Sequence, residues 1–327
     1  MVKFLEIDGK PFDVGSQNSF KKRVAETLKR RSDSDGLDIS FEFSAYTDRA
    51  IFDDLLECAA AYKLQHLWVR GFTEHTLYFG EPGLVFKSII THCGPSLENL
   101  ELEDFKFDGA LVFGNSCSGF KALTALSLSN CFLDFTDYTL LNPFTYFPAL
   151  KQLRLSDFGR DESNCEDTET PRCLEIKGDQ LLTLELNRLS GFDEIEVSAA
   201  SLNLFTYRGD LLATELSLNL TSLETADIVL KSLDEDDDAE KKLKNLFNGL
   251  SHAKSLDLAV DATKPLWDAC KLVQDQRSPF RRLESLALRL MIEENITVIP
   301  QYVKGYFFGD SPPKPKNVWT EVKMKKP

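Results

Sequence analysis

Apolar residues recur along the chain in one pattern, L-x-x-L-x-L. It appears at Leu64, Leu67 and Val69, and again at Leu97, Leu100 and Leu102. It returns at Leu123, Leu126 and Leu128, at Leu150, Leu153 and Leu155, and at Leu181, Leu184 and Leu186. Looser copies follow at Leu202, Phe205 and Tyr207, at Leu223, Ala226 and Ile228, at Ala253, Leu256 and Leu258, and at Leu283, Leu286 and Leu288. The first positions advance by 33, 26, 27, 31, 21, 21, 30 and 30 residues. The second half of each copy alternates apolar and variable residues, which predicts a short strand with one apolar face. A lone strand cannot bury that face, but stacked copies pair side by side and share one core.

The mean of these steps, about 27 residues, falls in the leucine-rich-repeat range of roughly 20–29 residues. The fold class expected is therefore an α/β leucine-rich-repeat solenoid, a horseshoe with a parallel concave sheet and a helical or irregular convex side. At about 4.8 Å between strands, nine strands would span roughly 38 Å. Three return segments carry helical periodicity: 82–93, ended by Gly94; 239–250, with Leu243, Leu246, Phe247 and Leu250 inward; and 264–276, opened by Pro265. A second apolar position lies three residues after each motif, at Phe72, Phe105, Cys131, Phe158 and Leu189, and reads as an inner core rung.

The ends differ from the middle, as solenoid caps do. Residues 18–31 predict an amphipathic helix through Phe20, Val24 and Leu28; residues 37–43 alternate as a strand; residues 48–62 predict a second helix capped by Thr47. At the far end Pro300 opens a short helix with Tyr302, Val303, Tyr306 and Phe307, and the proline-rich segment 311–316 breaks it. The organisation expected is an N-terminal capping region over 1–62, repeats over 63–295, and a C-terminal cap with a frayed tail over 296–327. One continuous solenoid is expected, with no separate second domain.

Several particulars beyond the leucines resemble the plant F-box/leucine-rich-repeat proteins over roughly residues 1–310. Phe4, Leu5, Ile7 and Asp8, then Phe20, Val24, Leu28 and Arg31, then Leu37, Ile39 and Phe41, look like the junction that follows the F-box in that family. Phe147, Pro148, Leu150, Lys151, Leu153 and Leu155 are similar to its F-P-x-L-K-x-L-x-L repeat. Ser201 to Gly209, Leu223 to Ile228, and Leu243 to Leu258 look like its later repeats. In that family the F-box docks on the Skp-type linker of a cullin ubiquitin ligase and the repeats hold the substrate. The resemblance implies the substrate-recognition part of such an adaptor. The F-box module, which opens with a Leu-Pro-x-x-Leu-Leu-like run, is not found, and Met1 falls about where it would end. The linker and cullin are expected partners only if an F-box lies upstream. The alternative is a stand-alone interaction scaffold with no ubiquitin-ligase role.

Leucine fills 49 of 327 positions, and the charged residues, 38 Lys+Arg against 52 Asp+Glu, leave a net charge of −14. That balance argues against a phosphate-tracking nucleic-acid binder and against anionic membranes. No apolar run reaches the roughly 18 residues of a membrane span, and no signal-peptide core opens the chain. Seven cysteines with no Cys-x-x-Cys read as reduced, mostly buried thiols, Cys131 among them, in a cytoplasmic or nuclear protein. The sequons at Asn219 and Asn295 are then expected to stay unused.

No catalytic residue is expected. His66, His75, His92 and His252 make no metal-binding pair, and no H-E-x-x-H or Walker loop occurs. The loop 114–119 brings Ser116 and Cys117 between glycines but misses the G-x-S-x-G spacing. Asp234 to Asp238 read as helix N-terminal acids, since the turn of a calcium loop is absent. Lys21, Lys22, Arg23, Lys29, Arg30 and Arg31 read as a solvated helix face, and also fit a bipartite nuclear signal. Inositol-phosphate cradles of hormone-sensing relatives need clustered basic residues. Here Arg70, Arg154 and Arg208 alternate with Glu101, Glu103, Glu185 and Asp227, so no cofactor and no metal is expected.

The residues between the leucines must face away from the core. His66, Trp68, Arg70, Glu101, Glu103, Arg154, Arg208, Asp257 and Arg289 are the candidate partner-binding set on the concave face. Trp and Arg are enriched at binding hot spots, and Trp68 leads the set. The negative charge points to a protein partner with a basic patch.

Overall fold

The computed structural model describes residues 4–8, 22, 26, 37–42, 49–71, 82–108, 119–134, 144, 147–160, 172–210, 215–231, 239–260, 266, 268, 270, 278–290, 301–308 and 318–322. The protein is mixed α/β, dominated by parallel strands with few helices. Two compact units divide the chain, Met1–Asp137 with Pro143–Asp167, and Tyr138–Asn142 with Thr168–Pro327.

In the first unit the main sheet runs β1 (Phe4–Asp8), β2 (Leu37–Glu42), β3 (Leu64–Arg70), β4 (Asn99–Glu103), β6 (Ala125–Ser129) and β8 (Gln152–Ser156). Each neighbouring pair is parallel. Register stacks Ile39, Leu67, Leu100, Leu126 and Leu153 into one row, and Phe41, Val69, Leu102, Leu128 and Leu155 into the next. All ten are buried. Two crossover helices cover this leucine face, α1 (Arg49–Ala60) and α2 (Pro82–Cys93), and they pack on each other. Phe52 of α1 stacks on Phe41 at 5.1 Å, and the Cys93 thiol of α2 donates to Leu56 O at 3.8 Å. Gly94 ends α2, its N–H donating to Ile89 O at 3.1 Å and Ile90 O at 3.2 Å.

After β4, β6 and β8 the chain turns sharply into β5 (Lys106–Asp108), β7 (Phe132–Asp134) and β9 (Gly159–Arg160), which form a second small parallel sheet. The corner residues Asp104, Asn130 and Asp157 have φ of 63°, 49° and 48°. Asp and Asn tolerate this left-handed conformation better than other side chains. Gly71 holds the equivalent corner after β3, where a Cβ would sit 2.2 Å from Asp104 O. These corners ladder together: Gly71 N–H donates to Glu103 O at 2.7 Å, Asp104 N–H to Ser129 O at 3.0 Å, and Asn130 N–H to Ser156 O at 2.8 Å. The Asn130 Nδ2 amide adds a bond to Asp104 Oδ1 at 2.6 Å. Just inside each corner lie Phe105, Cys131 and Phe158, all buried, the rung that the spacing predicts. Phe72 lies outside the described residues.

In the second unit the main sheet runs β11 (Thr183–Asn187), β13 (Leu204–Asp210), β15 (Thr225–Lys231), β16 (Ser255–Val260), β17 (Ser285–Leu290) and β18 (Val318–Val322), all parallel. Its first returns are strands: β10 (Cys173–Lys177), β12 (Glu194–Ser198) and β14 (Glu215–Asn219) form a second parallel sheet. Later returns are helical, α3 (Ala239–Gly249) and the helical residues 266, 268 and 270, before α4 (Gln301–Phe308). A helix advances about 1.5 Å per residue and a strand about 3.3 Å. The 11-residue helix and the 5-residue strand therefore cross the same core depth. The 21-residue repeats of this region leave room only for the strand. α3 packs beside β14 where the return type changes. Gly249 makes that approach possible, since a Cβ there would lie 2.5 Å from Leu218 Cβ. Phe247, Phe280, Tyr306 and Phe307 close this end of the core, with every pair of ring centroids 5.2–6.4 Å apart.

Three details depart from the sequence reading. Leu189 is half-buried and does not extend the rung; Phe192 is buried instead, in a longer loop before β12 that carries left-handed residues at Arg188 (φ 51°) and Gly191 (φ 73°). The segment 318–322, placed in the C-terminal cap, is a sheet strand pairing with β17. The returns β10, β12 and β14 are strands where the sequence reading expects a helical or irregular convex side. Of the helix expected over 18–31, residues 22 and 26 are helical and both side chains are exposed; the rest lies outside the described residues.

Candidate functional site

Main-sheet register in the first unit turns the intervening residues into ordered rows on the face opposite the leucines. Ser40, Trp68, Glu101, Ser127 and Arg154 lie side by side across five strands. One row earlier stand Asp38, His66 and Asn99, and one row later Arg70, Glu103 and Ser129. Six of the nine sequence-selected residues, His66, Trp68, Arg70, Glu101, Glu103 and Arg154, thus share one face. Glu101 and Arg154 are exposed, and Trp68 is half-buried. The expectation of an exposed Trp68 is corrected to that extent.

Two of the basic groups on β3 already have acidic partners. His66 Nδ1 lies 2.9 Å from Asp38 Oδ1. The Arg70 guanidinium donates through Nε to Asp104 Oδ2 at 2.9 Å and lies 3.7 Å from Glu103 Oε1. Between them, the Trp68 indole N–H and the Glu101 carboxylate have no hydrogen-bond or ionic partner among the described residues.

The outer face of the second unit's main sheet is different. Arg289 grips Asp257 with two bonds, Nε to Oδ1 at 2.8 Å and Nη2 to Oδ2 at 2.7 Å, a fork-on-carboxylate geometry. The same Nη2 lies 3.5 Å from Asp227 Oδ1, and Arg208 Nη2 donates to Asp227 Oδ2 at 3.1 Å. Arg208, Asp257 and Arg289 thereby form one network. Its hub, Asp227, was missing from the selected set; strand parity alone marks it as outward, and only the register puts it between the two arginines.

Other reactive groups do not converge on a catalytic arrangement. Burial pushes the Cys131 thiol up to about 12, and the thiol bonds to Leu102 O and Ser129 O, the chemistry of an inert core cysteine. Burial likewise raises Cys93 and Cys270 to about 12. On the second sheet of the second unit, Cys173 Sγ and carboxylate oxygens of Glu194 and Glu196 lie within 4.8 Å of one another, the one grouping among the described residues with donors for a metal ion. Desolvation, then Glu196 and Glu194, raises Cys173 to about 11; desolvation, then Glu196 and Glu215, raises Glu194. The loop 114–118 and the run 234–238 lie outside the described residues. No helix among the described residues is long and apolar enough to cross a membrane.

Compared with known proteins, the chain matches no family model and no curated protein sequence.

Proposed function

We propose that this protein is a protein-interaction module of the leucine-rich-repeat kind, a horseshoe that presents its sheet face to a partner. The observation that carries the reading is the row through Trp68 and Glu101: an indole and an exposed carboxylate on a rigid strand array, neither contributing to the leucine core. Rigid elements with outward aromatic and charged side chains are what a hot spot requires. The partner is a protein with a basic patch, attracted by the net charge of −14. By the resemblance in its repeats, the module is the substrate-holding part of a ubiquitin-ligase adaptor, and its ligase role depends on an F-box.

The test begins with a partner identified by crosslinking and then purified. Trp68→Ala and Glu101→Lys should each weaken its affinity, Trp68→Ala by roughly 25-fold or more at a hot spot, with the melting temperature nearly unchanged. Normal binding by both variants, or unfolding of Trp68→Ala, overturns the assignment of the face. A pull-down of the Skp-type linker by residues 1–327 separates the ligase reading from the stand-alone scaffold, and no binding is expected.

A further inference from the structure

We infer that the Trp68–Glu101 pair is a recognition seat for a single basic side chain, Lys or Arg, of the partner. The inference rests on the reading of this face as a partner-binding surface and names what the face selects. Trp68 of β3 and Glu101 of β4 are direct register neighbours, so their backbones stand about 4.8 Å apart. Small residues, Ser40 and Ser127, occupy the positions on either side of the pair. A basic side chain laid across the row would place its aliphatic stem against the indole and its charged head at the carboxylate. Cation–π attraction to Trp and an ion pair to Glu would then act on the same group.

Among the described residues, the chain's own cations leave this seat vacant. Along β3 the outward residues are His66, Trp68 and Arg70, so a basic group flanks the indole on each side. Each is drawn away by an acid in another direction: His66 toward Asp38 on β2, and Arg70 toward Asp104 and Glu103 at the end of β4. Glu101 is thereby left as an exposed carboxylate with no cation among the described residues, beside an indole whose N–H has no acceptor there. The second unit shows the contrast. There Asp227 and Asp257, at equivalent outward positions, are neutralised by Arg208 and Arg289. A charge-satisfied face has nothing to offer a cation, and an unsatisfied one beside an aromatic ring does.

The experiment uses the full chain labelled with nitrogen-15 at tryptophan. The sequence holds three tryptophans, so three indole signals are expected, and Trp68→Phe identifies the one that matters. The probes are acetylated, amidated hexapeptides of Gly and Ser with one central Arg, Lys, Ala or Glu. Arg and Lys peptides should shift the Trp68 signal in a saturable way, and Ala and Glu peptides should not. Glu101→Gln should weaken the Arg titration by roughly 5-fold, the worth of an exposed ion pair. Glu101→Lys should abolish it, with both variants melting as the parent does. A Trp68 signal that ignores Arg and Lys, that responds equally to Ala or Glu, or that is indifferent to Glu101→Gln overturns the inference. If the peptides fail while Trp68→Ala still loses the purified partner, the seat is wrong and the interaction face stands. If the peptides titrate and Trp68→Ala keeps the partner, the broader reading fails instead.

Discussion

Residues 71–98 separate β3 from β4 in the first unit, and residues 188–203 separate β11 from β13 in the second. The longer return contains the 12-residue helix α2; the shorter contains the 5-residue strand β12. Both units bury the same leucine rows on their main sheets, yet they close the far side of the core differently. The difference teaches that the L-x-x-L-x-L strand is the invariant part of each coil. The 21-residue repeats return through a strand, while longer repeats return through either a helix, as at α2 and α3, or a strand, as at β10. The outer faces diverge as well. In the second unit Arg208, Asp227, Asp257 and Arg289 satisfy one another, whereas in the first Glu101, beside Trp68, has no cation partner among the described residues.

The largest test of the comparison is core truncation in each unit. Leu155→Ala in the first and Leu184→Ala in the second remove fully buried side chains and should each cost about 2–5 kcal/mol. Hydrogen exchange read strand by strand should show the loss concentrated in the unit that carries the substitution. A uniform loss across both would mean that the units do not open separately.

Next come the two glycine contacts. Gly71→Ala drives a Cβ into Asp104 O, which is backbone and cannot rotate away, and should cost about 1–3 kcal/mol through forced strain. Gly249→Ala meets the Leu218 side chain where helix replaces strand and should cost a similar or smaller amount. Chemical denaturation measures both, and an unchanged midpoint for Gly249→Ala would show that α3 and β14 do not need their close approach.

A smaller effect separates the outer faces. Arg289→Met removes the grip on Asp257 and Asp227 and should cost about 1 kcal/mol or less, fading in high salt because the groups are partly exposed. Glu101→Gln, in the first unit, should change stability by less than that at any salt concentration. Equal costs would erase the distinction between a satisfied and an unsatisfied face.

The smallest effect is one of pH. Glu194 has its folded-state pKa raised, by desolvation and then by Glu196 and Glu215. The folded chain therefore holds that proton more tightly than the unfolded chain, and stability falls as pH rises from the ordinary carboxylate range through the raised value. Glu194→Gln should be slightly more stable than the parent at pH 7, and the gain should vanish as pH drops below the ordinary glutamate value. Thermal melts of the pair across that range check the sign.

The helices at 49–60, 82–93, 239–249 and 301–308 could be read in the chain because each shows apolar residues at helical spacing with a terminal Pro or Gly or a polar first turn. The outward placement of His66, Trp68, Arg70, Glu101, Glu103 and Arg154 was equally legible, since side-chain parity along a strand is local. The corner column was also present in the sequence, as Gly71, Asp104, Asn130, Asp157 and Arg188, each two residues after its motif. Four of these, Asp104, Asn130, Asp157 and Arg188, are left-handed, and the mix of Gly, Asp, Asn and Arg side chains shows no single residue type that marks the column. The strands β10, β12 and β14 are as short as the main strands, and β12 and β14 alternate as they do, but they lack the leading leucine three residues upstream that opens most repeats, so nothing tied them to a period.

The chain by itself determined which side of each repeat strand is buried and the spacing at which those strands recur, because alternation and repeat length are properties of neighbouring residues. Only the tertiary structure decided which outward residues meet. Asp38 and His66, Asp227 and Arg289, and Trp68 and Glu101 are separated by 28 to 62 positions, and a one-residue slip in register would re-pair every one of them. Charge satisfaction is a property of those pairings. That is why the sequence marks Trp68 and Arg289 as outward alike, and only the folded sheet leaves one beside a carboxylate with no partner among the described residues and the other locked between two aspartates.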